Sequence, residues 1–378
     1  MKHCIRPLFL TLILMAIPGV HAGVDGPSSE ATRIIEEFGL REAAQPISEH
    51  PSWNPRRVVV SLPQSFATRL PDLEQTLKTI AAGVDLYFDR SENFVLTPEV
   101  LAGTDAILSI CNPVTMGNAS DSLLWFHNYR VGIDRCTGLP DEQINGRVFS
   151  NSKRLSGPAI AEHSIAMMLS LARGLPAYSR ADTWDRSLAS KMTFGELKGK
   201  TMLVVGLGGI GSQIAWRAHG LGMQVLAIRN SSRDGPDYVN QVGLPDELHT
   251  LAARADVVVN ALPLTENTRG IFNQGFFAAV KPGAMFISVG RGQSTVTADL
   301  VAALQSGQLH SAGLDVTDPE PLPAKSPLWQ MDNVLITPHI SSTGQGSISR
   351  MAIIAAENLR RYLAGEPLLN LVDMQAGY

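Results

Sequence analysis

A glycine-rich turn with the sequence GLGGIG, at residues 206–211, constrains the fold of this chain more than any other feature. It follows an apolar run, Thr201–Val205, that predicts a buried strand, and it precedes a stretch with helical spacing. A G-x-G-x-x-G motif between a strand and a helix is typical of a dinucleotide-binding unit. Its glycines allow a tight turn, a close backbone approach to a pyrophosphate and close helix packing. We therefore expect the cofactor to contact Gly206, Gly208, Gly209, Ile210 and Gly211.

The rest of the chain alternates strand-like apolar runs with helical stretches, which indicates parallel sheets. Before the turn, strands are predicted at Arg57–Leu62, Val84–Phe88 and Ala106–Ile110. After it, further strands are predicted at Gln224–Ile228, Val257–Ala261, Ala284–Val289, Ser311–Val316 and Val334–Ile336. Only 17% of the residues are charged and 44% are hydrophobic, as expected for strands buried on both faces. The sequence therefore predicts an α/β protein with two doubly wound parallel-sheet units, which meet near a long apolar helix over Ala159–Leu175.

The first 22 residues have the pattern of a secretory signal peptide. Two basic residues, Lys2 and Arg6, precede the apolar run Leu8–Ile17, and the segment ends in small residues up to Ala22. We expect cleavage after Ala22, export to the periplasm or the medium, and no membrane partner afterwards. The alternatives are an uncleaved membrane anchor or a misassigned start codon in a cytoplasmic protein.

The charge balance and the cysteines exclude several classes of protein. A net charge of −4 over 378 residues argues against a nucleic-acid partner, which requires a basic surface. Three cysteines exclude a disulfide-dense scaffold and a four-cysteine zinc site, and we expect no metal site. Cys111 and Cys136 would be the only thiols left after signal cleavage, and the sequence leaves open whether they pair.

The segment after the predicted strand at Gln224–Ile228 indicates which dinucleotide binds. An NAD-dependent enzyme usually carries an acidic residue there, which accepts hydrogen bonds from the ribose 2′-hydroxyl. This chain has RNSSR instead, and arginine and serine side chains can bind a 2′-phosphate through charge-assisted hydrogen bonds. The alternative is a solvated loop in an enzyme that does not distinguish the two cofactors. We predict NADP, with NAD possible, and contacts from Arg229, Asn230, Ser231 and Arg233.

Several further motifs resemble those of the D-isomer-specific 2-hydroxyacid dehydrogenase family. They are LPLTENTRG at 262–270, VGRG at 289–292, AGLDVTDPEPLP at 312–323, PLW at 327–329 and NVLITPHI at 333–340, with weaker matches in GIDR at 132–135 and GPAIAEH at 157–163. The resemblance implies a Rossmann lobe for the nucleotide and a flavodoxin-like lobe for the substrate, with a cleft between them. It also implies an NAD(P)-dependent dehydrogenase or 2-oxo acid reductase of the glyoxylate/hydroxypyruvate reductase type. The family usually dimerises around the helix at 159–175, so we expect a homodimer.

The chain is expected to divide into five segments, of which the last three alternate between the two lobes on this resemblance. The expected segments are a signal peptide at 1–22, an N-terminal extension at 23–55 with a helix over Ala31–Ala44, the first part of the substrate lobe at 56–157, the dinucleotide-binding domain at 158–337, and the return segment of the substrate lobe at 338–378.

The catalytic residues of the family match Arg291, Glu320 and His339 in this sequence. The planar guanidinium of Arg291 would bind the carboxylate and carbonyl of a 2-oxo acid and fix its orientation. His339 would donate a proton to the carbonyl oxygen during reduction and accept one during oxidation. Glu320 would pair with His339, since a nearby carboxylate favours the protonated imidazole.

Other residues have roles that the resemblance implies. Asp315 would lie beside the nicotinamide carboxamide, and Pro263 and Gly290 match positions near the nicotinamide ring and the adenosine side. The loop whose backbone N–H groups would bind the substrate carboxylate consists of Arg130, Val131 and Gly132. The family usually has a small residue where Arg130 stands. We therefore hypothesise a pocket for a substrate with a second anionic or polar group; the alternative is that Arg130 points to solvent.

Two other functions are compatible with the pattern. Formate dehydrogenase, a related enzyme, pairs its catalytic histidine with glutamine, so Glu320 argues against it. A non-catalytic NADP(H)-binding sensor or interaction protein would keep the fold, but the complete set of Arg291, Glu320 and His339 favours an enzyme. The expected substrates are therefore small 2-oxo or 2-hydroxy acids.

Overall fold

Two parallel sheets form the framework of the molecule. The structure, a computed structural model, describes residues 26–136, 138–184, 186 and 195–377. The predicted signal peptide, residues 1–22, lies outside the described residues. No helix in the described part of the chain has the length and apolar character to cross a membrane.

The first sheet has five parallel strands in the order β2-β1-β3-β4-β5. This order is that of flavodoxin-like folds. The strands are β1 Arg57–Ser61, β2 Asp85–Asp89, β3 Ala106–Ser109, β4 Trp125–Asn128 and β5 Val148–Asn151. Strands β4 and β5 are additional to those predicted, because each carries polar side chains that interrupt an apolar run. These side chains are buried and partnered: the Trp125 indole N–H donates to Ser150 Oγ, and His127 Nδ1 lies 2.9 Å from the same oxygen.

The second sheet has seven parallel strands in the order β12-β11-β10-β9-β6-β7-β8. The strands are β6 Thr201–Val205, β7 Gln224–Ile228, β8 Gln241–Gly243, β9 Val257–Asn260, β10 Ala284–Ser288, β11 Leu309–Leu314 and β12 Val334–Ile336. Only the short edge strand β8 was not predicted. Strands are added in opposite directions on the two sides of the β6–β9 pair. This topological switch point is where open α/β sheets bind ligands, at the carboxyl ends of the strands.

The helices cover the faces of both sheets. They are α1 Ser29–Phe38, α2 Gln64–Ala67, α3 Leu73–Ile80, α4 Pro98–Leu101, α5 Pro113–Asn118, α6 Asp141–Ile144, α7 Gly157–Ala172, α8 Leu175–Tyr178, α9 Gly209–Gly220, α10 Leu248–Ala252, α11 Gln274–Ala279, α12 Thr297–Gln305 and α13 Gln345–Ala364. The helix predicted over Ala31–Ala44 was too long. It ends at Phe38 because Gly39 takes a left-handed conformation with φ +55° and caps the last turn.

Each sheet is buried on both faces. In β6, Leu203 and Val205 pack into one apolar cluster, while Met202 and Val204 pack into the cluster on the opposite face. Strand β1 shows the same alternation: Val58 and Val60 pack into the apolar cluster on one face, and Val59 packs into the cluster on the other. Double coverage of two parallel sheets accounts for the low share of charged residues.

The C-terminal helix α13 returns to the first sheet. Its Leu359 and Tyr362 are buried in one of the two apolar clusters of that sheet. Its Ile354 packs with Ile34 of α1 and with Leu155, so α1 is part of the same folded body. The chain therefore builds the five strands of the first sheet, then the second sheet, and then returns to add a helix to the first.

Candidate active site

The predicted site residues follow the carboxyl ends of parallel strands. The residues that follow β6, β10, β11 and β12 are Gly206, Arg291, Asp315 and His339. In the first sheet, the predicted substrate loop at 130–132 follows β4. Arg291 donates hydrogen bonds to Asp134, two residues beyond that loop. The carboxyl edges of the two sheets therefore face a common cleft.

The glycine-rich turn has the geometry that a dinucleotide requires. Gly206 has φ +101°, and a Cβ there would stand 2.9 Å from the carbonyl oxygen of Ala261. A Cβ at position 211 would stand 2.0 Å from the carbonyl oxygen of Gly206, so both positions require glycine. A Cβ at Gly208 would meet nothing within 4 Å, and α9 begins at Gly209. The open space and the free N–H groups of the first helical turn fit a bound pyrophosphate.

The loop after β7 presents two guanidinium groups, which differ in their partners. Arg229 Nη1 donates to the carbonyl oxygen of Asp234 at 2.9 Å. Arg233 Nη1 lies 2.5 Å from Oε2 of Glu247, so an acidic neighbour neutralises part of its charge. The two remaining residues predicted to bind the cofactor here, both exposed, are Asn230 and Ser231. A bound phosphate would compete with Glu247 for Arg233 but not for Arg229.

His339 and Glu320 come together from different loops. The distance from His339 Nδ1 to Glu320 Oε1 is 2.7 Å, and the two side chains are 32% and 44% exposed. The backbone of His339 has φ +54°, and its N–H donates to the carbonyl oxygen of Asp315 at 2.8 Å. A positive φ is uncommon in a residue other than glycine and occurs often at functional sites. Because Glu320 holds Nδ1, Nε2 is the ring nitrogen left for another partner.

Asp315 is buried and its carboxylate binds the loop that carries His339. Oδ1 accepts hydrogen bonds from Thr337 Oγ1 at 2.7 Å and from the Ile340 N–H at 2.9 Å, and Oδ2 accepts one from the Ser341 N–H at 3.0 Å. Burial would raise the pKa of Asp315, but these hydrogen bonds outweigh it and lower the pKa. Asp315 thus shapes the His339 loop, and its contact with the cofactor stays a prediction.

Arg291 reaches from the second sheet to a loop of the first. Its Nε and Nη2 donate to Oδ1 of Asp134 at 3.0 and 2.8 Å, and Nη1 donates to the carbonyl oxygen of Gly290 at 2.8 Å. A guanidinium has five N–H groups, so one remains on each terminal nitrogen. Burial would raise the pKa of Asp134, but the charge and hydrogen bonds of Arg291 lower it. A Cβ at Gly132 would stand 1.9 Å from Nη2 of Arg291, so a side chain at this position would displace the guanidinium.

The predicted substrate loop is held by asparagines at the ends of β4 and β5. Asn128 Nδ2 donates to the carbonyl oxygens of Arg130 and Gly132, and Asn151 Nδ2 donates to that of Val131. The backbone N–H groups of Val131 and Gly132 have no hydrogen-bond partner among the described residues. They are therefore available to a carboxylate, as the resemblance implies.

Charged side chains of both signs surround the guanidinium of Arg130. Two cations, Arg135 and Arg291, and two anions, Asp134 and Glu320, act on it. Arg130 is exposed, and its guanidinium has no hydrogen-bond partner among the described residues. It is thus a cation at the cleft that is free to bind a ligand.

The loops after β9 and β10 touch each other at Gly290. A Cβ there would stand 2.6 Å from the carbonyl oxygen of Leu262, which precedes the exposed Pro263. Asn260 fixes this contact, since its Nδ2 donates to Ser288 Oγ and its Oδ1 accepts the N–H of Leu262. Sequence reasoning did not find Asn260, because nothing in its surroundings along the chain marks it.

Two features of the first sheet were also missed or left open. Asp134 lies in the weakly matching GIDR stretch, and no local pattern indicates that it contacts Arg291. Cys111 and Cys136, whose pairing the sequence left open, form a disulfide with a Cα–Cα distance of 6.1 Å. Within the described residues, no group of three or more His, Cys, Asp or Glu side chains could hold a metal ion.

Comparison with known proteins decides the family. The family model described as D-isomer specific 2-hydroxyacid dehydrogenase, NAD binding domain, matches residues 165–341. Glyoxylate/hydroxypyruvate reductase B of Klebsiella pneumoniae is 38% identical over 241 residues, which are 62% of this chain and 74% of that protein. The chain belongs to the D-isomer-specific 2-hydroxyacid dehydrogenase family.

Solved structures of this family have the same architecture. A D-isomer specific 2-hydroxyacid dehydrogenase from Xanthobacter autotrophicus Py2, in complex with NADPH and MES, has a TM-score of 0.69 at 28% identity over 86% of this chain and 100% of that one. The NADPH-dependent glyoxylate/hydroxypyruvate reductase from Sinorhizobium meliloti, in complex with NADP and sulfate, has a TM-score of 0.70 at 26% identity over 85% and 100%. The predicted family, fold class and enzyme class are therefore confirmed. The protein is an oxidoreductase with a nicotinamide cofactor.

Proposed function

We propose that this dehydrogenase interconverts small 2-oxo acids and D-2-hydroxy acids, with NADP(H) as the preferred cofactor. The observation that carries the proposal is the 2.7 Å contact between His339 Nδ1 and Glu320 Oε1. This pair lies at the sheet edge that also holds Arg291 and the glycine-rich turn. A relative named glyoxylate/hydroxypyruvate reductase B supports the substrate class.

Arg291 and the loop at 130–132 would bind the substrate. The two N–H groups that Arg291 keeps, one on each terminal nitrogen, would hold the carboxylate and the carbonyl oxygen of the 2-oxo acid. The free backbone N–H groups of Val131 and Gly132 would add donors to the carboxylate. Donors from two lobes would fix the carbonyl relative to His339.

His339 would carry the proton. Glu320 would accept a hydrogen bond from Nδ1–H and stabilise the charged imidazolium, so Nε2 would donate a proton to the carbonyl oxygen in reduction and accept one in oxidation. A bound nicotinamide cofactor supplies the hydride for the carbonyl carbon. The residues that would hold it are Gly206, Gly208, Gly209, Ile210 and Gly211 at the pyrophosphate, with Pro263, Gly290 and Asp315 in the surrounding loops.

The preference for NADP rests on the loop after β7. Arg229, Asn230, Ser231 and Arg233 stand where an acidic residue would repel a 2′-phosphate. Two solved relatives with bound NADPH or NADP support this assignment. Of the two arginines, Arg229 would contribute more, because Arg233 is already paired with Glu247.

The guanidinium of Arg130 supports a narrower substrate class, 2-oxo acids with a second anionic group. It has no hydrogen-bond partner among the described residues, and Arg291 would already bind the first carboxylate. Wild type and Arg130→Ala would be compared on glyoxylate, hydroxypyruvate and 2-oxodiacids. We expect the wild type to favour the diacids and the variant to lose that preference. A flat profile in both proteins contradicts the assignment.

We also infer a homodimer that forms around α7. Large apolar side chains are exposed on α7 and on α8 and α9, which contact it: Leu169, Leu175 and Trp216. A second copy of the chain would cover them, because several exposed large apolar side chains on neighbouring helices favour an interface. Light scattering on the purified protein should give twice the chain mass, and Trp216→Glu should shift it towards the monomer. A monomeric wild type at micromolar concentration contradicts the inference.

Export stays part of the proposal. The basic and apolar pattern of residues 1–22 supports it, and so does the Cys111–Cys136 disulfide, since disulfides persist mainly in oxidising compartments. Cell fractionation and N-terminal sequencing of the mature protein test it. A mature chain that begins after Ala22 in the exported fraction is expected, and a full-length cytoplasmic chain would contradict it.

The test of the activity is NADPH oxidation by the purified protein with a panel of 2-oxo acids. The fall in NADPH absorbance measures turnover, and NADPH binding is measured separately by fluorescence. Turnover of at least one acid is expected. If NADPH binds and none of the acids is reduced, the protein is a cofactor-binding sensor or interaction protein instead.

A further inference from the structure

We propose that Asp134 is a positioning residue for Arg291 and that the Cys111–Cys136 disulfide holds Asp134 in place. The proposal rests on the function proposed above, since that function assigns substrate binding to Arg291. It adds a residue that contacts neither substrate nor cofactor in this account, and it makes substrate affinity depend on a thiol–disulfide state.

Asp134 is the partner that fixes the plane of the Arg291 guanidinium. Two of the three hydrogen bonds of this group go to one carboxylate oxygen of Asp134, and the third goes to the carbonyl of the adjacent residue, Gly290. Among the described residues, the hydrogen bonds to Asp134 are the ones that tie the guanidinium to the other lobe. Two N–H groups of one planar guanidinium that converge on a single carboxylate oxygen restrict the orientation of that plane. Without Asp134, the long side chain of Arg291 would sample several rotamers.

The guanidinium of Arg291 also lies close to the backbone of Gly132. A Cβ at that position would stand 1.9 Å from Nη2 of Arg291 and 2.5 Å from Oδ1 of Asp134. The ion pair therefore packs directly against the backbone of the loop whose N–H groups would bind the substrate carboxylate. A shift of the segment that carries Asp134 would move Arg291 relative to that loop.

The disulfide anchors this segment to the first sheet. Asp134 begins a short 3₁₀ helix that ends at Cys136, and Cys136 is bonded to Cys111 just after β3. Both cysteines are buried, at 0% and 2% exposure. The N–H of Cys111 donates to Asn128 Oδ1 at 3.0 Å, and the amide of Asn128 holds the carbonyls of the substrate loop. One covalent bond thus joins the Asp134 segment to the strand ends that support the loop.

Opening the disulfide should loosen the Asp134–Arg291 pair. A dithiol reductant breaks the Sγ–Sγ bond, gives two thiols and is itself oxidised to a disulfide. The 3₁₀ helix would then be held by noncovalent contacts alone. We expect the KM for the 2-oxo acid to rise while NADPH affinity stays unchanged, because the glycine-rich turn lies in the other lobe.

The first arm of the test compares Asp134→Asn, Asp134→Ala and the wild type in NADPH oxidation. The expected result is a KM for the 2-oxo acid that rises about tenfold or more in Asp134→Ala and less in Asp134→Asn, which keeps an acceptor oxygen. The NADPH dissociation constant should stay within about twofold, which a general structural defect would not allow. The matched control is Asp141→Asn, an exposed carboxylate five residues beyond the disulfide, which should behave as the wild type.

The second arm compares oxidised and reduced wild type with a Cys111→Ser/Cys136→Ser double variant, with free thiols counted. Reduction should raise the KM of the wild type to that of the double variant, which should not respond to reductant. If the thiols are freed and the KM is unchanged, the role of the disulfide is contradicted. An active wild type with an unchanged KM in Asp134→Ala contradicts the positioning role. A wild type that reduces none of the acids overturns the proposed function and this proposal with it.

Discussion

The carboxyl edges of the two sheets build the cleft in different ways. At the edge of the seven-stranded sheet, each predicted residue lies in a loop that follows a strand and belongs to a short motif, as Arg291 does in VGRG and His339 in TPH. At the edge of the five-stranded sheet, the loop at 130–132 is held by Asn128, Asn151 and a disulfide that lie apart in the sequence. Chemistry is thus encoded locally in one lobe, while substrate positioning depends on long-range contacts in the other.

The largest effect is expected at the edge of the seven-stranded sheet, from His339→Ala. Loss of the proton donor should lower kcat by about a thousandfold, or about 4 kcal/mol in transition-state stabilisation. NADPH affinity should not change, because the glycine-rich turn follows a different strand. Steady-state kinetics and fluorescence titration check this, with the exposed His249→Gln as the control. A kcat within tenfold of the wild type would assign the proton donor elsewhere.

The second effect should be confined to the five-stranded sheet. The Cys111→Ser/Cys136→Ser double variant should lose about 3.5 kcal/mol of unfolding free energy, since the disulfide closes a loop with a sequence separation of 25. Urea unfolding measures the loss, and hydrogen exchange locates it. Faster exchange is expected in β3 and β4, with β6 and β9 unchanged. Equal acceleration in both sheets would remove the distinction between the lobes.

The third effect is a pH dependence that also belongs to the five-stranded sheet. His127 on β4 is fully buried, its Nε2 has no partner among the described residues, and burial lowers its pKa to about 3. Between about pH 6.5 and pH 3, His127 therefore binds a proton in the unfolded chain but not in the folded protein. The contribution of His127 to the free energy of unfolding should be fully present above about pH 6.5. It should fall by about 1.4 kcal/mol per pH unit as the pH drops towards 3.

Urea titrations at pH 7 and pH 4.5 check this for the wild type, His127→Phe and His219→Gln. Between these pH values the unfolding free energy of the phenylalanine variant should fall by about 2.5 kcal/mol less than that of the wild type. The exposed His219 on α9 serves as the control, and its variant should follow the wild type. If His127→Phe keeps the full pH dependence, another group is responsible.

The smallest effect separates the two arginines of the cofactor loop. Arg229→Ala should weaken NADPH binding about tenfold and leave NADH binding unchanged, because only NADPH carries the 2′-phosphate. Arg233→Ala should have a smaller effect, since Glu247 already pairs with Arg233. Isothermal titration with both cofactors measures the ratio. Equal losses for NADPH and NADH in Arg229→Ala would contradict the predicted preference for NADP.

The sequence predicted the seven-stranded sheet more completely than the five-stranded one. Strands β6 and β7 have the predicted bounds, because each is an apolar run between polar or glycine residues. In β4, the polar His127 and Asn128 hide the strand, since their burial depends on partners such as Ser150 on a neighbouring strand. When buried polar side chains find their hydrogen-bond partners on a neighbouring strand, the strand shows no apolar pattern along its own sequence.

The candidate site shows the same difference between features that local motifs predict and contacts that join distant parts of the sequence. The glycine-rich turn and the His339–Glu320 contact follow from motifs and from the resemblance. The contact between Asp134 and Arg291 joins residues 157 positions apart in two lobes, so no spacing along the chain predicts it. The pairing of Cys111 with Cys136 required the three-dimensional arrangement for the same reason.

The central claim is that this protein transfers hydride to a 2-oxo acid with His339 as the proton donor. Transfer of label tests it most directly. The protein is incubated with NADPH that carries deuterium at both C4 positions and with a 2-oxo acid, and the product is analysed by chiral chromatography and mass spectrometry. The account predicts a D-2-hydroxy acid with one deuterium at C2, formed by the wild type and lost in His339→Ala. Unlabelled product, or no product while NADPH remains bound, would contradict it.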